Sequence, residues 1–132
     1  MLLFVCTGNT CRSPMAAALA RRMGIDAQSA GLAPWPGAPA TAPAQRAAAR
    51  LGADLSAHRA QAVTPALMAG AERVYAMTQA HADALRSRFP AYADRVFVLR
   101  PQIPDPYGGD DHVYAQCAQM LLQALANEGL AP

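Results

Sequence analysis

The sequence predicts an α/β fold in which a parallel sheet carries helices on both faces. Short apolar segments typical of buried strands alternate along the chain with longer segments rich in alanine and other helix-forming residues. Several helical segments also begin at a capping residue or end at a glycine. A helix between two strands returns the chain to the starting end of the sheet, so consecutive strands of this kind lie parallel in one sheet.

The first predicted strand and helix have clear sequence signals. Residues 2–6 (LLFVC) form a continuous apolar run, as expected of a fully buried strand. We expect the next helix to have Ser13 as its cap, Pro14 at its first position and Gly24 at its end. Between these residues the sequence MAAALARRM is strongly helix-forming.

The later elements follow the same alternation. A second strand is expected within residues 26–32, a loop rich in proline and alanine surrounds Trp35, and a helix ends at Gly52. Thr64 and Thr78 are predicted to cap two further helices. The remaining elements are a strand at 73–77, a helix at 79–89, a strand at 95–99, a loop with three prolines at 100–109 and a helix at 110–127.

Composition limits the classes of protein that fit. With 132 residues, 53% of them hydrophobic and 15% charged, the chain predicts one globular domain. A net charge of +2 gives no reason to expect nucleic acid or a membrane surface as a partner. No apolar run approaches the roughly 20 residues that cross a bilayer, and the N-terminal MLLFV is too short for a signal peptide. Three sparse cysteines suit a reducing compartment, so we expect a cytoplasmic protein.

The stretch from Cys6 to Arg12 has the spacing of an anion-binding loop. A strand ends at Cys6, a short polar loop follows, and the loop opens a helix. Successive backbone N–H groups in such a loop converge, and the helix N-terminus adds partial positive charge. Gly8 permits close approach of the backbone, and Asn9 tolerates a left-handed turn. Arg12 offers a planar fork that matches two phosphate oxygens.

The same field favours the thiolate form of Cys6, and Ser13 is placed to donate its hydroxyl to that sulfur. A thiolate facing a bound oxyanion suits nucleophilic attack on phosphorus, which gives a cysteinyl-phosphate intermediate. Two alternatives are weaker. A buried strand cysteine would not explain the arginine and serine, and Cys6 with Cys11 lacks the paired partners of a zinc site, so no metal is expected.

VCTGNTCRSPMA near the start and DPYGG near the end resemble the low-molecular-weight protein tyrosine phosphatase family. SAG at 29–31, HRAQAVT at 58–64 and VYAMTQAH at 74–81 are similar to stretches of the same family. The resemblance covers nearly the whole chain. It implies a three-layer α/β/α fold with a four-stranded parallel sheet, and a phosphatase that uses no cofactor or metal.

The resemblance also assigns roles to individual residues. It implies that Cys6 is the nucleophile, that Arg12 binds phosphate, and that Asp105 of the Asp-Pro pair protonates the leaving group and then activates water. It further implies that His58 supports the phosphate loop by hydrogen bonds. The loop residues expected around the phosphate are Thr7, Gly8, Asn9, Thr10, Cys11, Arg12 and Ser13.

Other acidic and histidine residues receive simpler interpretations. Asp110 and Asp111 are acids of the right type, but GGDDH resembles a helix start, where acidic groups interact favourably with the helix dipole. His81 and His112 are expected on the surface.

The residue that separates the branches of this family is Thr10. Tyrosine phosphatases of the family usually carry an aliphatic residue there, whereas CTGNTCRS resembles its protein arginine phosphatases. Tyr107 followed by two glycines also resembles the arginine branch. We therefore expect phosphoarginine on proteins as the substrate, with phosphotyrosine as the alternative. Thr10, Trp35 and Tyr107 are the residues expected at the rim of the substrate pocket.

The cysteines raise the question of redox chemistry. The resemblance makes a reversible disulfide between Cys6 and Cys11 plausible, whereas simple packing is the alternative for Cys11. Cys117 lies on the apolar stripe of the last helix and is expected in the core. Arsenate reductases that use a similar loop need further downstream cysteines, and residues 12–116 contain none. A binding module or redox sensor without hydrolysis is the remaining alternative.

Overall fold

A computed structural model of the protein, described here for residues 1–130, has one sheet of four parallel strands. The strands are β1 (Leu2–Cys6), β2 (Ala27–Gly31), β3 (Arg73–Ala76) and β4 (Val96–Val98). Their order across the sheet is β2-β1-β3-β4, and every neighbouring pair is parallel. β1 is therefore central, which explains why its sequence is a continuous apolar run.

Helices follow the strands as the alternation predicts. Five α-helices and a short 3₁₀ helix connect them within the described residues. They are α1 (Arg12–Arg22), α2 (Ala42–Arg50), α3 (Pro65–Gly70), α4 (Gln79–Arg88), the 3₁₀ helix (Pro90–Arg95) and α5 (Asp111–Asn127). The 3₁₀ helix lies where the sequence predicted no element. No helix in residues 1–130 is both long enough and apolar enough to cross a membrane.

The two faces of the sheet have separate apolar clusters, as a three-layer α/β/α fold requires. α1, α2 and α5 cover one face, and α3 and α4 cover the other. Alternation along β1 divides its side chains between them. Phe4 packs into the first cluster, while Leu3 and Val5 pack with Met68 and Leu85 in the second.

Helix starts agree with the sequence prediction except at α1. Thr64 and Thr78 each accept a backbone N–H three residues ahead, which confirms them as caps. At α1 the predicted cap is wrong, because the helix begins at Arg12 and Ser13 lies inside its first turn. Cys11 occupies the cap position without a capping hydrogen bond. The hydroxyl of Ser13 is thereby free for a different contact.

The carboxyl ends of the strands bring distant parts of the chain to one edge. Cys6 ends β1, and Gly31 ends β2 directly beside it. Beyond β3, the N–H of Met77 donates to the carbonyl of Val5 at 3.2 Å, and the N–H of Ile103 donates to the carbonyl of Met77 at 2.9 Å. The loop that follows β4 therefore returns to the edge at which the first strand ends. This edge is where parallel sheets bind their ligands.

Gly31 is expected to be intolerant of any side chain. A Cβ atom there would lie 2.6 Å from the backbone oxygen of Thr7 and 3.1 Å from the Cβ of Asn9. We predict that Gly31→Ala destabilises the protein by about 1–3 kcal/mol, because the loop at 7–11 must shift. Gly70→Ala is the control, since its Cβ would meet nothing within 4 Å. Urea unfolding of both variants tests this, and equal stability of the two would contradict it.

Candidate active site

The loop between β1 and α1 forms the floor of a pocket of about 230 Å³. The three residues with predicted catalytic roles all line it. Its complete lining is Cys6, Thr7, Gly8, Asn9, Thr10, Cys11, Arg12, Asp105 and Tyr107. The structure thus brings together residues almost 100 positions apart in the sequence at the carboxyl edge of the sheet.

The backbone of the loop is oriented for an anion. Carbonyl groups of the loop are paired with the surrounding protein: those of Cys6, Thr7 and Thr10 accept backbone N–H groups at 3.0 Å. By contrast, no backbone N–H of residues 7–12 donates to another group within the described chain. These N–H groups lie at the start of α1, where the helix dipole adds positive potential. Unpaired donors around a pocket at a helix N-terminus are the features of an oxyanion site.

Cys6 is 2% exposed, and its sulfur lies 3.0 Å from the hydroxyl oxygen of Ser13. That oxygen also accepts the amide N–H of Asn9 at 2.9 Å. Ser13 has one hydroxyl proton to donate, and its sulfur contact is shorter than its 3.4 Å contact to the carbonyl of Ala30. Ser13 is therefore placed to donate to a thiolate at Cys6, and this role stays a prediction.

Asn9 fixes the conformation of the loop through hydrogen bonds of its side chain and backbone. It is fully buried and has φ of +56°, the left-handed conformation for which its residue type is suited. Its side chain amide donates to Ser13 and Ser29, and its side chain oxygen accepts the N–H of Gln61 at 2.9 Å. Its carbonyl accepts the Nε2–H of His58 at 2.7 Å, which is the loop contact expected of that histidine.

Arg12 is anchored with its charge at the pocket. The side chain is buried, and Nη1 donates to the carbonyl of Ile103 at 3.0 Å. Nη2 lies 3.9 Å from a carboxylate oxygen of Asp105, a distance too long for a strong ion pair. The remaining donors of the guanidinium are therefore available to an anion in the pocket.

Asp105 reaches the pocket from the loop before α5. Its Oδ1 accepts the backbone N–H of Tyr107 at 3.1 Å, which closes a turn, and its side chain is 58% exposed. The two other candidate acids have structural contacts. Asp110 caps α5, and Asp111 forms a bidentate pair with Arg46. Of these three carboxylates, Asp105 is the one that lines the pocket.

The residues expected at the rim lie in different places. Thr10 is half-buried and lines the pocket, as does Tyr107, which is 69% exposed. Trp35 does not line this pocket, and its indole is 83% exposed in the turn after β2. The sequence could not locate Trp35, because the path of a proline-rich loop depends on its tertiary contacts.

All three cysteines are free thiols. Cys11 is buried, and its sulfur lies 3.3 Å from the hydroxyl of Tyr114 and 3.6 Å from that of Thr41. Cys117 lies in the core as predicted, where burial raises the pKa of its thiol to about 12. Redox pairing of Cys6 with Cys11 stays a prediction. Among residues 1–130 no group of three or more metal-ligating side chains is found.

His81 contradicts its prediction as a surface residue. It is only 7% exposed, and its Nε2 lies 2.8 Å from the hydroxyl oxygen of Thr7. Its Nδ1 lies 3.1 Å from the hydroxyl of Thr78. His112, in contrast, is exposed as predicted. The start of α4 faces the loop because α4 packs on the sheet. The sequence of α4 alone does not predict this tertiary contact.

Other supporting residues were not singled out from the sequence. Ser29 and Gln61 bind Asn9, and the carbonyl of Ile103 anchors Arg12. The first two lie within the SAG and HRAQAVT stretches, so the family-like segments contained a signal for them. The third is a backbone contact that any residue type could make, and no sequence pattern marks it.

Fold and pocket together define a cysteine-dependent phosphatase, and the chain belongs to the low molecular weight phosphotyrosine protein phosphatase family, whose pattern matches residues 1–128. A protein-arginine-phosphatase of Geobacillus stearothermophilus is 39% identical over 123 residues, covering 86% of this chain and 82% of the relative. A probable low molecular weight protein-tyrosine-phosphatase EpsP of Ralstonia nicotianae is 37% identical over 126 residues, covering 91% and 87%.

A solved structure of the YwlE arginine phosphatase is also similar. In that structure a cysteine is replaced by serine and the active-site serine is phosphorylated. It is 35% identical to this chain, with a TM-score of 0.88 and coverage of 96% of this chain and 93% of its own. These similarities confirm the family and the fold class predicted from the sequence.

The buried histidines predict a loss of stability in mild acid. Burial, with a smaller contribution from Arg12, lowers the pKa of His81 from an ordinary 6.5 to about 4, and burial lowers that of His58. Below pH 6.5 the unfolded chain binds protons that the folded state does not. The contribution of the neutral histidines to the free energy of unfolding is therefore complete above that pH and is lost as the pH falls toward 4. For His81 alone the loss is about 3 kcal/mol.

Urea unfolding of the protein and of His81→Gln at pH 7 and pH 4.5 tests this expectation. The variant should lose less stability between the two pH values than the wild type. His112→Gln is the matched control for replacing a histidine by glutamine, because His112 is exposed. An equal decrease in wild type and His81→Gln would contradict the prediction.

Proposed function

We propose that the protein hydrolyses phosphoarginine on protein substrates through a cysteinyl-phosphate intermediate. The observation that carries this proposal is the single pocket lined by Cys6, Arg12, Asp105 and Thr10. It combines a nucleophile, a phosphate-binding cation, an acid and a polar rim residue. Phosphorylated proteins are the proposed partners, and the free thiols support a cytoplasmic location.

In the first step the thiolate of Cys6 attacks phosphorus. The sulfur–phosphorus bond forms as the phosphorus–nitrogen bond breaks, and the carboxyl group of Asp105 donates its proton to the leaving guanidino nitrogen. The phosphoryl oxygens lie among the unpaired loop N–H groups and the guanidinium of Arg12, which stabilise the charge of the transition state. The arginine side chain of the protein substrate leaves with that proton on its guanidino nitrogen.

In the second step water attacks the cysteinyl phosphate. The carboxylate of Asp105 accepts a proton from that water, and the sulfur–phosphorus bond breaks as inorganic phosphate forms. The sulfur leaves as a thiolate, to which the hydroxyl of Ser13 at 3.0 Å can donate. Both steps are balanced without a cofactor or metal ion.

Thr10 and the Asp105 loop support phosphoarginine as the substrate. A hydroxyl at Thr10 can accept from a guanidinium edge, whereas a longer aliphatic side chain would instead favour a phenyl ring. Asp105 has an oxygen, Oδ2, that makes no short bond in the structure and can meet the leaving nitrogen. The similarity to a protein-arginine-phosphatase points in the same direction.

Phosphotyrosine is the second candidate substrate. Tyr107 is an exposed aromatic at the rim and offers a surface on which a phenyl ring can stack. The similarity to a probable protein-tyrosine-phosphatase also supports this alternative. Arsenate reduction is disfavoured, because the one thiol downstream of the loop, Cys117, is buried and its pKa is raised.

We expect Cys6→Ser to abolish turnover of a phosphoarginine peptide and Asp105→Asn to reduce kcat by about 10²–10⁴-fold. The first change removes the nucleophile, and the second removes the proton donor at constant side chain size. Asp110→Asn is the matched control, because asparagine also caps helices and Asp110 does not line the pocket. Steady-state release of phosphate measures all three. Retention of full activity by Cys6→Ser would exclude the proposed mechanism.

Substrate choice is tested by Thr10→Ile together with Thr10→Val. The wild type should hydrolyse a phosphoarginine peptide with a higher kcat/KM than the matching phosphotyrosine peptide. Thr10→Ile should lower kcat/KM for phosphoarginine by roughly tenfold, because a hydrogen bond to the substrate is lost. Thr10→Val is nearly isosteric with threonine and separates loss of the hydroxyl from added bulk. Faster wild-type turnover of phosphotyrosine would favour the alternative substrate.

A further inference from the structure

His81 connects the start of α4 to the first residue of the phosphate loop. Both of its ring nitrogens have hydroxyl partners: Nε2 lies 2.8 Å from Thr7 Oγ1, and Nδ1 lies 3.1 Å from Thr78 Oγ1. The ring is 7% exposed, so water does not compete strongly for these contacts. No step of the proposed mechanism uses this histidine.

Thr7 is the residue at the pocket end of this chain of contacts. It follows the nucleophile directly and lines the pocket, and its side chain is exposed there. Its backbone carbonyl is held by the N–H of Ala33 at 3.0 Å. The backbone of Thr7 is thus fixed independently of His81. The imidazole therefore acts on the orientation of the Thr7 hydroxyl proton.

The contacts are compatible with two directions of the hydrogen bonds, and the group in the pocket decides between them. In the first direction Thr78 Oγ1 accepts the backbone N–H of His81 at 3.3 Å, as a helix cap, and donates its own proton to Nδ1. The neutral ring then carries its proton on Nε2 and donates to Thr7 Oγ1. Thr7 keeps its hydroxyl proton for a group in the pocket.

The opposite direction is unfavourable when the pocket holds a phosphoryl group. If Nδ1 carried the proton, Nε2 would accept from Thr7, and the hydroxyl lone pairs of Thr7 would face the anion. Burial favours the neutral ring, which has one acceptor and one donor as this chain requires.

We propose that His81 is a positioning residue which, through the order Thr78 to His81 to Thr7, directs the hydroxyl of Thr7 as a donor to the phosphoryl group in the pocket. This inference rests on the proposed function insofar as the pocket binds a phosphoryl group, and it holds for either substrate. It adds a side chain donor to the backbone N–H groups and Arg12.

The test compares Thr7→Val, Thr7→Ser, His81→Phe and the double variant Thr7→Val/His81→Phe. With para-nitrophenyl phosphate as substrate, Thr7→Val and His81→Phe should each lower kcat/KM about tenfold, the effect of one hydrogen bond to a charged group. Inhibition by inorganic phosphate should weaken by a similar factor. The double variant should resemble either single variant, because both remove the same contact. Thr7→Ser should retain most of the activity.

His112→Phe is the control for the loss of an imidazole, since this exposed side chain lies outside the pocket lining. If the role of His81 were purely structural, His81→Phe would lower the melting temperature, and Thr7→Val would not show the decrease in kcat/KM. Thr7→Val within twofold of wild type, or independent effects in the double variant, would overturn the proposal. If His81→Phe does not fold, Thr7→Val and Thr7→Ser still decide.

A spectroscopic measurement tests the direction of the chain. Nitrogen chemical shifts of His81 in the wild type with inorganic phosphate should show the proton on Nε2, and a proton on Nδ1 would overturn the assignment. Failure of the wild type to hydrolyse para-nitrophenyl phosphate would contradict the proposed function instead. Calorimetric binding of inorganic phosphate to wild type and Thr7→Val would still test the donor role of Thr7.

Discussion

The architecture of the site depends on one constraint: a loop whose N–H groups face an anion must pair its carbonyl groups with the protein behind it. Backbone N–H groups outside the loop pair the carbonyls of Cys6, Thr7 and Thr10, and Asn9 fixes the turn between them. Its left-handed backbone turns the chain, and its side chain binds two hydroxyl groups and one backbone N–H. His58 then pairs its carbonyl. Because Asn9 is completely buried, each of these contacts is made in a medium where a missing partner is costly.

The elements that surround the loop are explained by this requirement. Gly31 allows β2 to end within van der Waals contact of the loop backbone, where a larger residue would collide with it. The segment after α2 supplies His58 and Gln61, which reach Asn9 from the same side. The loop is therefore held by two separate segments, β2 and the segment after α2. A loop held in this way orients its N–H groups in advance, which favours transition-state stabilisation.

The sequence predicted those parts of the structure that are decided locally. Strand β1, the caps Thr64 and Thr78 and the spacing from Cys6 to Arg12 each depend on residues within one or two turns of each other, and the structure has them as expected. Parallel topology followed from the alternation of elements. These features place Cys6 and Arg12 at the two ends of one loop without any knowledge of long-range contacts.

Long-range contacts account for the errors. His81 is polar and sits in the first turn of a helix, a position that is usually exposed, so its burial against Thr7 follows only from how α4 packs. Serine is a common helix cap, but the tight loop starts the helix two residues earlier than predicted and brings the hydroxyl of Ser13 to Cys6. These two errors lie beside the candidate pocket, where tertiary contacts override local preference.

The loop from Cys6 to Arg12 and the loop that carries Asp105 differ in exposure, and this difference has a chemical reason. Both substrate classes present the same phosphoryl group, so Cys6 and Arg12 can be buried and fixed. The leaving groups differ in shape, and Asp105 stands on an exposed loop with only a 3.9 Å approach to Arg12. A guanidine leaves poorly as an anion, whereas a nitrophenolate leaves readily without a proton. Dependence on Asp105 should therefore rise with the basicity of the leaving group, and a phosphoarginine enzyme needs this residue more than a simple aryl phosphatase does.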